Sequence, residues 1–529
     1  MSLLRLNDVS YAYGERDIIR NATFSIDEGE IVLLAGGTGS GKSTLIRIIN
    51  GLIPHFYSGR FSGKVIFDGK EITQATPKER VALGIRTVMQ FPENQLLGQK
   101  VEKLLKRALG EDFEEIVDFL ELKNLLNKRV EELSGGEKQR VAIAMVLGRS
   151  PKLLLLDEPF SQLDVSYMRK LIKILLSIAK RGVSILIAEH RVHELALIAD
   201  KALLIVNGKI VEGKPYYVLS RENCKRTGVD EPIYFSIARR IGMNSFSYEL
   251  LRQKLAETKI MISGGANNPK NGREILRVSD LWFWYRKDEI VLQNINFNLR
   301  EGEILAILGR NGAGKTTLLK LICGMLKPKR GEIRILGEKL KGIKIASRFI
   351  AFLPQNPEEI LFEKTVRDEI SFSARIMGKN KSIVNEIILS LKLEEILERN
   401  PLTLSGGEKF LVAFASILVK EPKIVILDET TRGLDSNARN ILIRILKDFT
   451  SKGGSVIMAT NDIDLLAELK PDRIIVLHDG KIVLSGNARE VLMNKQLYDY
   501  GLRIPLISEL FEGVLGRRDI LSISEINFG

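Results

Sequence analysis

The stretch Gly36-Gly37-Thr38-Gly39-Ser40-Gly41-Lys42-Ser43-Thr44 determines how the rest of the chain is interpreted. It fits the pattern G-x-x-x-x-G-K-[ST] of a phosphate-binding loop. The apolar run Ile31–Ala35 before it predicts a buried strand, and the apolar residues of Leu45–Ile49 after it have helical spacing. Glycines let backbone N–H groups point toward phosphate oxygens, and the helix N-terminus adds further donors. We therefore predict that Lys42 reaches the outer phosphates and that the Ser43 hydroxyl ligates Mg²⁺.

The same pattern occurs a second time, in Gly309-Arg310-Asn311-Gly312-Ala313-Gly314-Lys315-Thr316-Thr317. It again follows an apolar run, Ile304–Leu308, and opens a stretch of helical spacing. Lys315 follows Lys42 by 273 positions, and the motifs described below recur after 271 positions. Such constant spacing indicates an internal duplication. We expect a first copy over residues 1–262, a flexible linker over 263–272 and a second copy over 273–529.

Each copy is predicted to be an α/β domain. Alternating apolar residues predict strands that match between the copies: Leu4–Tyr13 with Leu276–Tyr285, and 63–69 with 331–337. Helical periodicity follows at Phe113–Leu126 and at Ser382–Leu397. Apolar strands then alternate with helices to the end of each copy, which favours a mainly parallel core sheet. The tails recur too, because Gly228 to Pro232 corresponds to Gly501 to Pro505.

Length and composition exclude several classes of protein. A chain of 529 residues is too long for one core, and its hydrophobic fraction of 45% is that of a globular protein. No run approaches the roughly 18 apolar residues of a membrane span, and the N-terminus lacks the form of a signal peptide. Cys224 and Cys323 are too few for a disulfide framework or a metal cluster, which fits a reducing cytoplasm. The net charge of +13 is moderate and indicates no single function.

Two further motifs occur once in each copy. Leu133-Ser134-Gly135-Gly136-Glu137 and Leu404-Ser405-Gly406-Gly407-Glu408 precede helical runs, where Ser and the glycines can form a second anion site at a helix start. The apolar strands 153–156 and 424–427 end in Asp157-Glu158 and Asp428-Glu429. The first acid of each pair is placed to hold Mg²⁺ through water, and the second to polarise an attacking water. The alternatives are a plain helix cap and a solvated acidic turn, neither of which explains the duplication.

With these motifs, the sequence resembles the ATP-binding cassette (ABC) ATPases, twice and over nearly its whole length. The resemblance implies that ATP and Mg²⁺ are bound and that ATP is hydrolysed. It also implies that each cassette has a parallel core sheet, an antiparallel β subdomain and a helical subdomain. Two such cassettes would pack head to tail as an intramolecular pseudo-dimer. Each ATP would then lie between the phosphate-binding loop of one cassette and the Leu-Ser-Gly-Gly-Glu motif of the other.

The resemblance assigns roles to further residues. Tyr13 and Tyr285 match the aromatic residue that stacks on adenine, with plain strand packing as the alternative. The other matches are Gln90 and Gln355 with the Q-loop glutamine, Asp164 and Asp435 with the D-loop aspartate, and His190 with the switch histidine. The implied Mg²⁺ ligands are Ser43, Gln90, Asp157, Thr316, Gln355 and Asp428. His55, His193 and His478 fit no motif, and we interpret them as surface or packing residues.

The two copies differ at the switch position. Copy two has Thr460-Asn461-Asp462 where copy one has Glu189-His190-Arg191, and Thr430 stands where copy one has Pro159. Asn can donate a hydrogen bond to a phosphate, but it cannot take up a proton. We therefore predict that the site with Glu158 and His190 hydrolyses ATP normally, and that the site with Glu429 and Asn461 hydrolyses it more slowly. The alternative is that Asn461 is a tolerated variant.

The Q-loop surroundings are similar to those of the energy-coupling-factor (ECF) class of importers. Copy one reads Gln90-Phe91-Pro92-Glu93-Asn94-Gln95-Leu96, and copy two reads Gln355-Asn356-Pro357-Glu358-Glu359-Ile360-Leu361. In that class an acid, here matched by Glu93 and Glu358, meets an arginine of the membrane partner. Each copy departs once from the class pattern, at Phe91 and at Ile360, and a generic solvated helix start is the alternative.

This resemblance implies the ATPase of an importer for a vitamin, a vitamin precursor or a metal ion. Its partners would be integral-membrane transport subunits, and its location would be cytoplasmic, peripheral on the inner face of the cell membrane. A sugar importer is a neighbouring possibility. The rival from another class is a soluble tandem ABC ATPase that acts on ribosomes or nucleic acid, which the basic charge mildly favours. The sequence contains no Cys-rich segment or long charged arm between the cassettes, so we expect no stable nucleic-acid partner.

Overall fold

The computed structural model describes most of the chain in two units, Met1–Ser247 and Tyr248–Gly529. The described residues are 2–37, 39–89, 96, 100–133, 135–148, 151–160, 165–190, 192–258, 260–262, 272–286, 289–376, 378, 380–430, 434, 436–516 and 520–528. Each unit contains one six-stranded and one four-stranded sheet with helices around them. The α/β class and the duplication predicted from the sequence are confirmed.

The first unit is built on a six-stranded sheet of order β10-β9-β3-β8-β7-β6, parallel except for the edge strand β10. A four-stranded antiparallel sheet, β2-β1-β4-β5, lies beside it. Every residue of β3, β7 and β8 is buried, as expected for parallel strands covered on both faces. The strands are β1 Ser2–Tyr13, β2 Arg16–Asp27, β3 Ile31–Ala35, β4 Arg60–Phe67, β5 Lys70–Glu71, β6 Ile85–Val88, β7 Leu153–Asp157, β8 Ser184–Glu189, β9 Lys201–Val206 and β10 Lys209–Gly213.

The helices of the first unit connect these strands and form its tail. They are α1 Lys42–Ile49, α2 Leu52–His55, α3 Pro77–Ala82, α4 Val101–Leu109, α5 Phe113–Phe119, α6 Gly135–Leu147, α7 Val165–Lys180, α8 Leu195–Ile198, α9 Pro215–Val218, α10 Arg221–Thr227 and α11 Ile233–Arg240. The buried side of α1 packs Leu45, Ile46 and Ile49 against the sheets. The loop before α1 is therefore held between a buried strand and a buried helix.

The second unit repeats this architecture. Its six-stranded sheet has the order β17-β18-β19-β14-β20-β21, and its four-stranded sheet the order β13-β12-β15-β16. The strands are β11 Ile260–Ile262, β12 Glu274–Arg286, β13 Glu289–Arg300, β14 Ile304–Leu308, β15 Arg330–Ile335, β16 Glu338–Lys339, β17 Ile350–Leu353, β18 Ile424–Asp428, β19 Ser455–Thr460, β20 Arg473–His478, β21 Lys481–Gly486 and β22 Ile526–Phe528. The helices are α12 Tyr248–Glu257, α13 Lys315–Ile322, α14 Ile343–Ala346, α15 Val366–Ile376, α16 Lys381–Leu391, α17 Gly406–Leu418, α18 Ser436–Ser451, α19 Ile463–Leu469, α20 Ala488–Leu492 and α21 Leu506–Leu515.

The helical runs predicted at 113–126 and 382–397 are each interrupted. Helix α5 ends at Phe119 and α16 at Leu391, earlier than the periodicity indicates. Glu121 and Lys392, which occupy equivalent positions in the two copies, have φ values of +53° and +56°. A residue in this left-handed region cannot continue a right-handed helix. Apolar spacing alone does not reveal such a break.

The chain divides into its two units after Ser247, within the tail of the predicted first copy, and the predicted bounds 1–262, 263–272 and 273–529 stay a prediction. Helix α12 and strand β11 belong with the second unit. Strand β11 pairs with the C-terminal strand β22 in an antiparallel ladder, Ile260 opposite Phe528 and Ile262 opposite Ile526. These backbone hydrogen bonds join the end of the first copy to the last residues of the chain. Among the described residues, no helix has the length and the apolar character that crossing a bilayer requires.

Candidate nucleotide-binding sites

Each phosphate-binding loop joins a central parallel strand to a buried helix. Lys42 Nζ donates hydrogen bonds to the carbonyl oxygens of Gly36 at 2.8 Å and Gly37 at 3.0 Å. In the second unit, Lys315 Nζ donates to the carbonyl oxygens of Gly309 at 2.7 Å and Arg310 at 2.9 Å. Both lysines are buried. The two loops therefore curl in the same way around a lysine ammonium, as a phosphate-binding loop requires.

Glycine is required where each loop enters its helix. Gly41 and Gly314 precede α1 and α13 with φ values of +109° and +102°. A Cβ atom at Gly41 would also lie 2.8 Å from Cγ2 of Ile18. Substitution at either position would thus strain the backbone at the point where N–H groups must face an anion.

A buried arginine fixes the far end of α1. The Arg80 side chain is almost fully buried, and its Nη1 donates to the carbonyl oxygen of Ile49 at 2.9 Å and to that of Ile48. Its Nη2 donates to the carbonyl oxygens of Ile72 at 2.7 Å and Thr73 at 3.0 Å. Burial lowers the pKa of this guanidinium to about 10, so it stays protonated at neutral pH. Arg80 therefore supplies donors to carbonyls that a helix end leaves without partners.

The predicted Mg²⁺ ligands lie together in both units. The Ser43 hydroxyl donates to Asp157 Oδ1 at 3.1 Å, and the Thr316 hydroxyl donates to Asp428 Oδ1 at 3.1 Å. Burial raises the pKa of Asp157 to about 6, and burial also raises the pKa of Asp428. Each of these buried carboxylates is costly to ionise unless a cation lies nearby, and each lies beside a hydroxyl. Such a pair of oxygen donors suits Mg²⁺. These residues fit the metal.

The glutamates that follow these aspartates are held in an uncommon backbone conformation. Glu158 and Glu429 have φ values of +49° and +47°. Their backbone N–H groups donate to the carbonyl oxygens of Ala188 at 2.9 Å and Ala459 at 2.8 Å. Left-handed non-glycine residues are costly and concentrate at functional sites. The carboxylates lie near the loop lysines, with Oε1 of Glu158 3.7 Å from Lys42 Nζ and Oε1 of Glu429 2.8 Å from Lys315 Nζ.

His190 is brought to the same place in the first unit. Its Nδ1 lies 3.7 Å from Glu158 Oε1 and 3.4 Å from Glu189 Oε2. Glu189 is fully buried and accepts hydrogen bonds from the backbone N–H groups of Phe160 at 3.2 Å and His190 at 3.0 Å. These bonds fix the Glu189 carboxylate beside the imidazole. Glu189 has no role in the sequence-based prediction. Its position at a strand end, directly before His190, nevertheless indicates an acid close to the imidazole.

The family follows from these sites and from comparison with known proteins. A family profile for ABC transporters matches residues 19–161 and 292–432. The chain belongs to the ABC transporter family. It is an ABC ATPase with two cassettes, which binds and hydrolyses ATP.

Relatives resemble this ABC ATPase over nearly its full length. An ABC transporter ATP-binding protein of Methanosarcina mazei is 33% identical over 95% of this chain and 92% of the relative. One of Caldanaerobacter subterraneus is 33% identical over 98% of this chain and 97% of the relative. In the solved structures, the archaeal ribosome recycling factor aABCE1 in complex with the stalk protein aP1 is 22% identical, with a TM-score of 0.61. That match covers 93% of this chain and 92% of the other, and it shows the shared tandem fold.

The Leu-Ser-Gly-Gly-Glu motif of the second cassette forms the predicted helix start. The Ser405 hydroxyl accepts a hydrogen bond from the Glu408 N–H at 3.4 Å, and Glu408 Oε2 accepts one from the Ser405 N–H at 2.9 Å. The two bonds form a reciprocal capping box, and the N–H groups of Gly406 and Gly407 are the first of helix α17. In the first cassette, Gly135 and Gly136 open α6, and Glu137 pairs with Lys128 at 3.0 Å.

The second cassette differs at the switch position, as predicted from the sequence. Asn461 Nδ2 donates to Oδ1 of Asn311, a residue of the phosphate-binding loop, at 3.4 Å. The position of Glu189 is taken by Thr460, a buried residue whose hydroxyl accepts from the Asp462 N–H at 3.0 Å. Asp462 in turn caps α19. The second site thus has an amide where the first has an imidazole beside a buried carboxylate.

A cavity of about 350 Å³ lies at the phosphate-binding loop of the second cassette. Its lining includes Lys315, Thr316, Gln355 and Glu429, so the structure brings the predicted Q-loop glutamine to the loop. Tyr285 is largely exposed, and its hydroxyl lies 3.3 Å from Oγ1 of Thr317. Such an exposed ring beside the loop is suited to stacking on a base.

Tyr13 has a related place in the first cassette. It is partly buried, and its hydroxyl accepts a hydrogen bond from Arg47 Nη1 at 3.3 Å. Its ring also packs edge-on against Tyr11 at 4.8 Å. Of the histidines without a motif, His193 has a packing role, because its Nδ1 accepts from the Ile233 N–H at 3.2 Å.

Several predicted site residues lie outside the described residues. They are Thr38, Gln90, Glu93, Ser134, Asp164 and Asp435. Their roles stay predictions.

Proposed function

We propose that this ABC ATPase energises an importer of the ECF class, whose cargo is a vitamin, a vitamin precursor or a transition-metal ion. Its ATPase activity follows from the family, and its relatives are named as ABC transporter components. The observation that carries the proposal is an open groove in the second cassette that connects its surface to its nucleotide site.

The groove has a volume of about 460 Å³. Its inner wall includes Thr316, Asp428 and Gln355, residues of the nucleotide site, and its outer wall includes Met325 and Ile343. These two apolar side chains are 46% and 52% exposed. An apolar segment of a partner seated there would contact Gln355 and the residues beside it. Docking of the partner would therefore be coupled to the nucleotide site, because both contact the inner wall of the groove.

The acid proposed to meet the partner's arginine already has a partner within the cassette. Glu358, in the short helical turn Pro357–Ile360, pairs with Lys409 of α17. Its side chain remains about half exposed, so an incoming arginine can reach it. Arginine binds a carboxylate with two parallel hydrogen bonds and would compete with Lys409 for Glu358. We propose that docking in this way releases α17, which carries the Leu-Ser-Gly-Gly-Glu motif.

In the proposed reaction, water attacks the terminal phosphoryl group of ATP, and ADP and phosphate are formed. Glu158 accepts a hydrogen bond from this water and orients it, while Lys42 neutralises charge on the outer phosphate oxygens. His190, held by Glu189, donates a hydrogen bond to the terminal phosphate. Ser43 and Asp157 would hold Mg²⁺, which would supply positive charge to neutralise the phosphates. Catalysis is then mainly positioning and charge neutralisation.

We further propose that each ATP is shared between cassettes, as the family resemblance implies. The loop around Lys42 would be completed by Ser405–Glu408, and the loop around Lys315 by Ser134–Glu137. ATP would hold the pair together, and hydrolysis would release it. The pair would then act on integral-membrane partners from the cytoplasmic face.

Recovery of the tagged full chain from solubilised membranes tests the proposal. We expect integral-membrane proteins to co-purify with the chain and to be lost from Ile343→Glu, which places a charge in the groove. Leu389→Glu is the matched control, because Leu389 is an exposed apolar residue of α16 that does not line the groove. Co-sedimentation with ribosomes instead, unaffected by Ile343→Glu, would support the rival function, a soluble tandem ABC ATPase. The net charge of +13 is the observation in favour of that rival.

A further inference from the structure

A short segment of the tail lies between two parts of the nucleotide site in each cassette. We call it the tail segment, and it consists of residues 227–233 in the first cassette and 500–506 in the second. At one end of it, the carbonyl oxygen of Thr227 lies so close to Gly37 of the phosphate-binding loop that a Cβ atom there has no room. In the second cassette, Gly501 lies equally close to Arg310 of the loop. One end of the tail segment therefore packs on the loop in both cassettes.

The other end of the tail segment is bound by a residue close to the switch histidine. The Nδ1 atom of His193 accepts a hydrogen bond from the backbone N–H of Ile233 at 3.2 Å. Ile233 is the first residue of α11, and His193 follows the switch residue His190 by three positions. An N–H group in the first turn of a helix has no acceptor within that helix. His193 therefore supplies the acceptor that this donor needs.

The second cassette makes the same contact with a different side chain. Oδ1 of Asp464 accepts a hydrogen bond from the backbone N–H of Leu506, the first residue of α21, at 3.1 Å. Asp464 follows His193 by 271 positions and the switch residue Asn461 by three. Arg503 of the tail segment also pairs with this carboxylate. Because an imidazole and a carboxylate fill equivalent positions and accept from equivalent donors, this position supplies an acceptor in both cassettes.

The tail segment and the switch residue are joined by short, buried pieces of chain. Val229 in the tail segment is 2% exposed, and Val192, between His190 and His193, is fully buried. In the second cassette, residues 502–506 are all buried. Three residues of chain span at most about 10 Å, so the place of His193 restricts the place of His190. The switch residue is thereby connected to the phosphate-binding loop through packed segments.

We propose that the tail segment positions the switch residue beside the phosphate-binding loop, with His193 and Asp464 as positioning residues. One end of the segment rests on the loop, and the other holds the chain directly after the switch residue. The proposal rests on the assignment of His190 and Asn461 to the switch position. It requires no membrane partner, so an ATPase assay on the purified full chain tests it separately from the importer function.

A double-mutant cycle tests whether His193 acts through His190. We expect His193→Leu to lower kcat about tenfold and to change KM for ATP by less than about twofold, because the loop that holds the phosphates is unaltered. His190→Ala should lower kcat at least as much, and the double variant should be no slower than His190→Ala. Losses that multiply in the double variant would overturn the proposal, as would an unchanged kcat in His190→Ala.

Two milder variants separate positioning from a general loss of stability. Ile233→Pro removes only the N–H donor from the backbone, because proline is tolerated at the first position of a helix and Pro232 before it already has the extended backbone that a following proline requires. We expect this variant to keep its fold, measured by thermal unfolding, and to lose kcat as His193→Leu does.

His193→Asn supplies an amide oxygen in place of Nδ1 and should keep kcat close to that of the unmodified chain. His55→Leu is the matched control, because His55 is an exposed histidine of α2, and it should leave kcat unchanged. An unchanged kcat in a folded Ile233→Pro variant would overturn the proposal even if His193→Leu failed to fold. A loss in His193→Asn as large as in His193→Leu would also overturn it.

Discussion

The side-chain amide of Asn461 donates a hydrogen bond to Asn311 Oδ1, across 3.4 Å, within the second cassette. In the first cassette the equivalent residue is His190, whose Nδ1 lies 3.7 Å from the carboxylate of Glu158. The two sites therefore share the loop lysine, the aspartate and the glutamate, but they differ in the residue at the predicted switch position. An imidazole can change its protonation near neutral pH, whereas an amide cannot.

We expect Glu158→Gln and Glu429→Gln to affect ATP hydrolysis unequally. A positioned general base contributes about 10²- to 10⁴-fold to rate, so removal of the one at the faster site should eliminate most turnover. Glu429→Gln should reduce steady-state ATPase activity by less than about threefold, since the site with Asn461 contributes little of the total. Steady-state phosphate release measures both effects. Equal losses in the two variants would contradict unequal sites.

Restoring the switch histidine should require its orienting carboxylate as well. We expect Asn461→His alone to raise turnover only slightly, because Thr460 cannot hold the imidazole as Glu189 holds His190. Asn461→His combined with Thr460→Glu should raise turnover several-fold further, measured in a Glu158→Gln background where the second site dominates. Thr460→Glu alone is the control and should give no gain. A full effect from the single histidine would show that Glu189 is not an orienting residue.

The sequence was sufficient for the parts of the site that lie in continuous motifs. Lys42, Ser43, Asp157 and Glu158 were predicted because a loop between a strand and a helix, and an acid at a strand end, have local patterns. The structure places their side chains within hydrogen-bonding or ion-pairing distance of one another. The difference at Asn461 was also visible, because the duplication aligns the copies.

Contacts between distant residues were not predictable in this way. Arg80 fixes the end of α1 through carbonyl oxygens of residues far apart in the chain, and no spacing rule indicates such a contact. The pairing of β11 with β22 joins short segments near residues 260 and 528, each too short to give a periodic signal. Fold class follows from local periodicity, whereas these contacts depend on how the whole chain packs.

A contact between the tail and the phosphate-binding loop gives a further prediction. A Cβ atom at Gly37 would lie 2.4 Å from the carbonyl oxygen of Thr227, at the end of α10. In the second cassette the contact is reversed, because the equivalent loop residue is Arg310 and a Cβ atom at Gly501 of the tail would lie 2.6 Å from its Cδ. The tail therefore packs on the loop in both cassettes, with a glycine on one side of each contact.

We expect Gly37→Ala to destabilise the first cassette by about 1–3 kcal/mol, because the methyl group must displace a backbone carbonyl. ATP binding at that site should weaken as the loop shifts. Thermal unfolding and nucleotide titration measure the two effects. Gly513→Ala is the control, since no atom lies within 4 Å of its added Cβ, and at this position inside α21 it should not destabilise the chain and should gain up to about 1 kcal/mol. Unchanged stability and affinity in Gly37→Ala would show that the tail does not hold the loop.

The carboxylate of Glu525 should anchor the C-terminal strand in a pH-dependent manner. Glu525 is 1% exposed and lies 2.6 Å from Lys470 Nζ and 2.7 Å from Arg489 Nη2, and it accepts a hydrogen bond from the Leu521 N–H at 3.0 Å. Burial raises its pKa, but these hydrogen bonds and charges outweigh burial and hold the pKa below the ordinary value of 4.5. Because the folded pKa is lowered, the stabilisation is present above the ordinary pKa and is lost as pH falls through the folded value.

We therefore expect Glu525→Gln to destabilise the segment at pH 7 by about 1–3 kcal/mol, because charge-assisted hydrogen bonds are replaced by weaker ones. Hydrogen exchange of Ile260–Ile262 and Ile526–Phe528 should become faster, whereas exchange in β14 should not change. The difference from the unmodified chain should shrink below about pH 4.5, where the carboxylate of the unfolded chain begins to take up a proton, and it should be lost as pH falls through the lower pKa of the folded state. A difference that stays constant from pH 7 to acid would mean that the loss arises from packing, and that the charge of Glu525 does not hold β22 against β11.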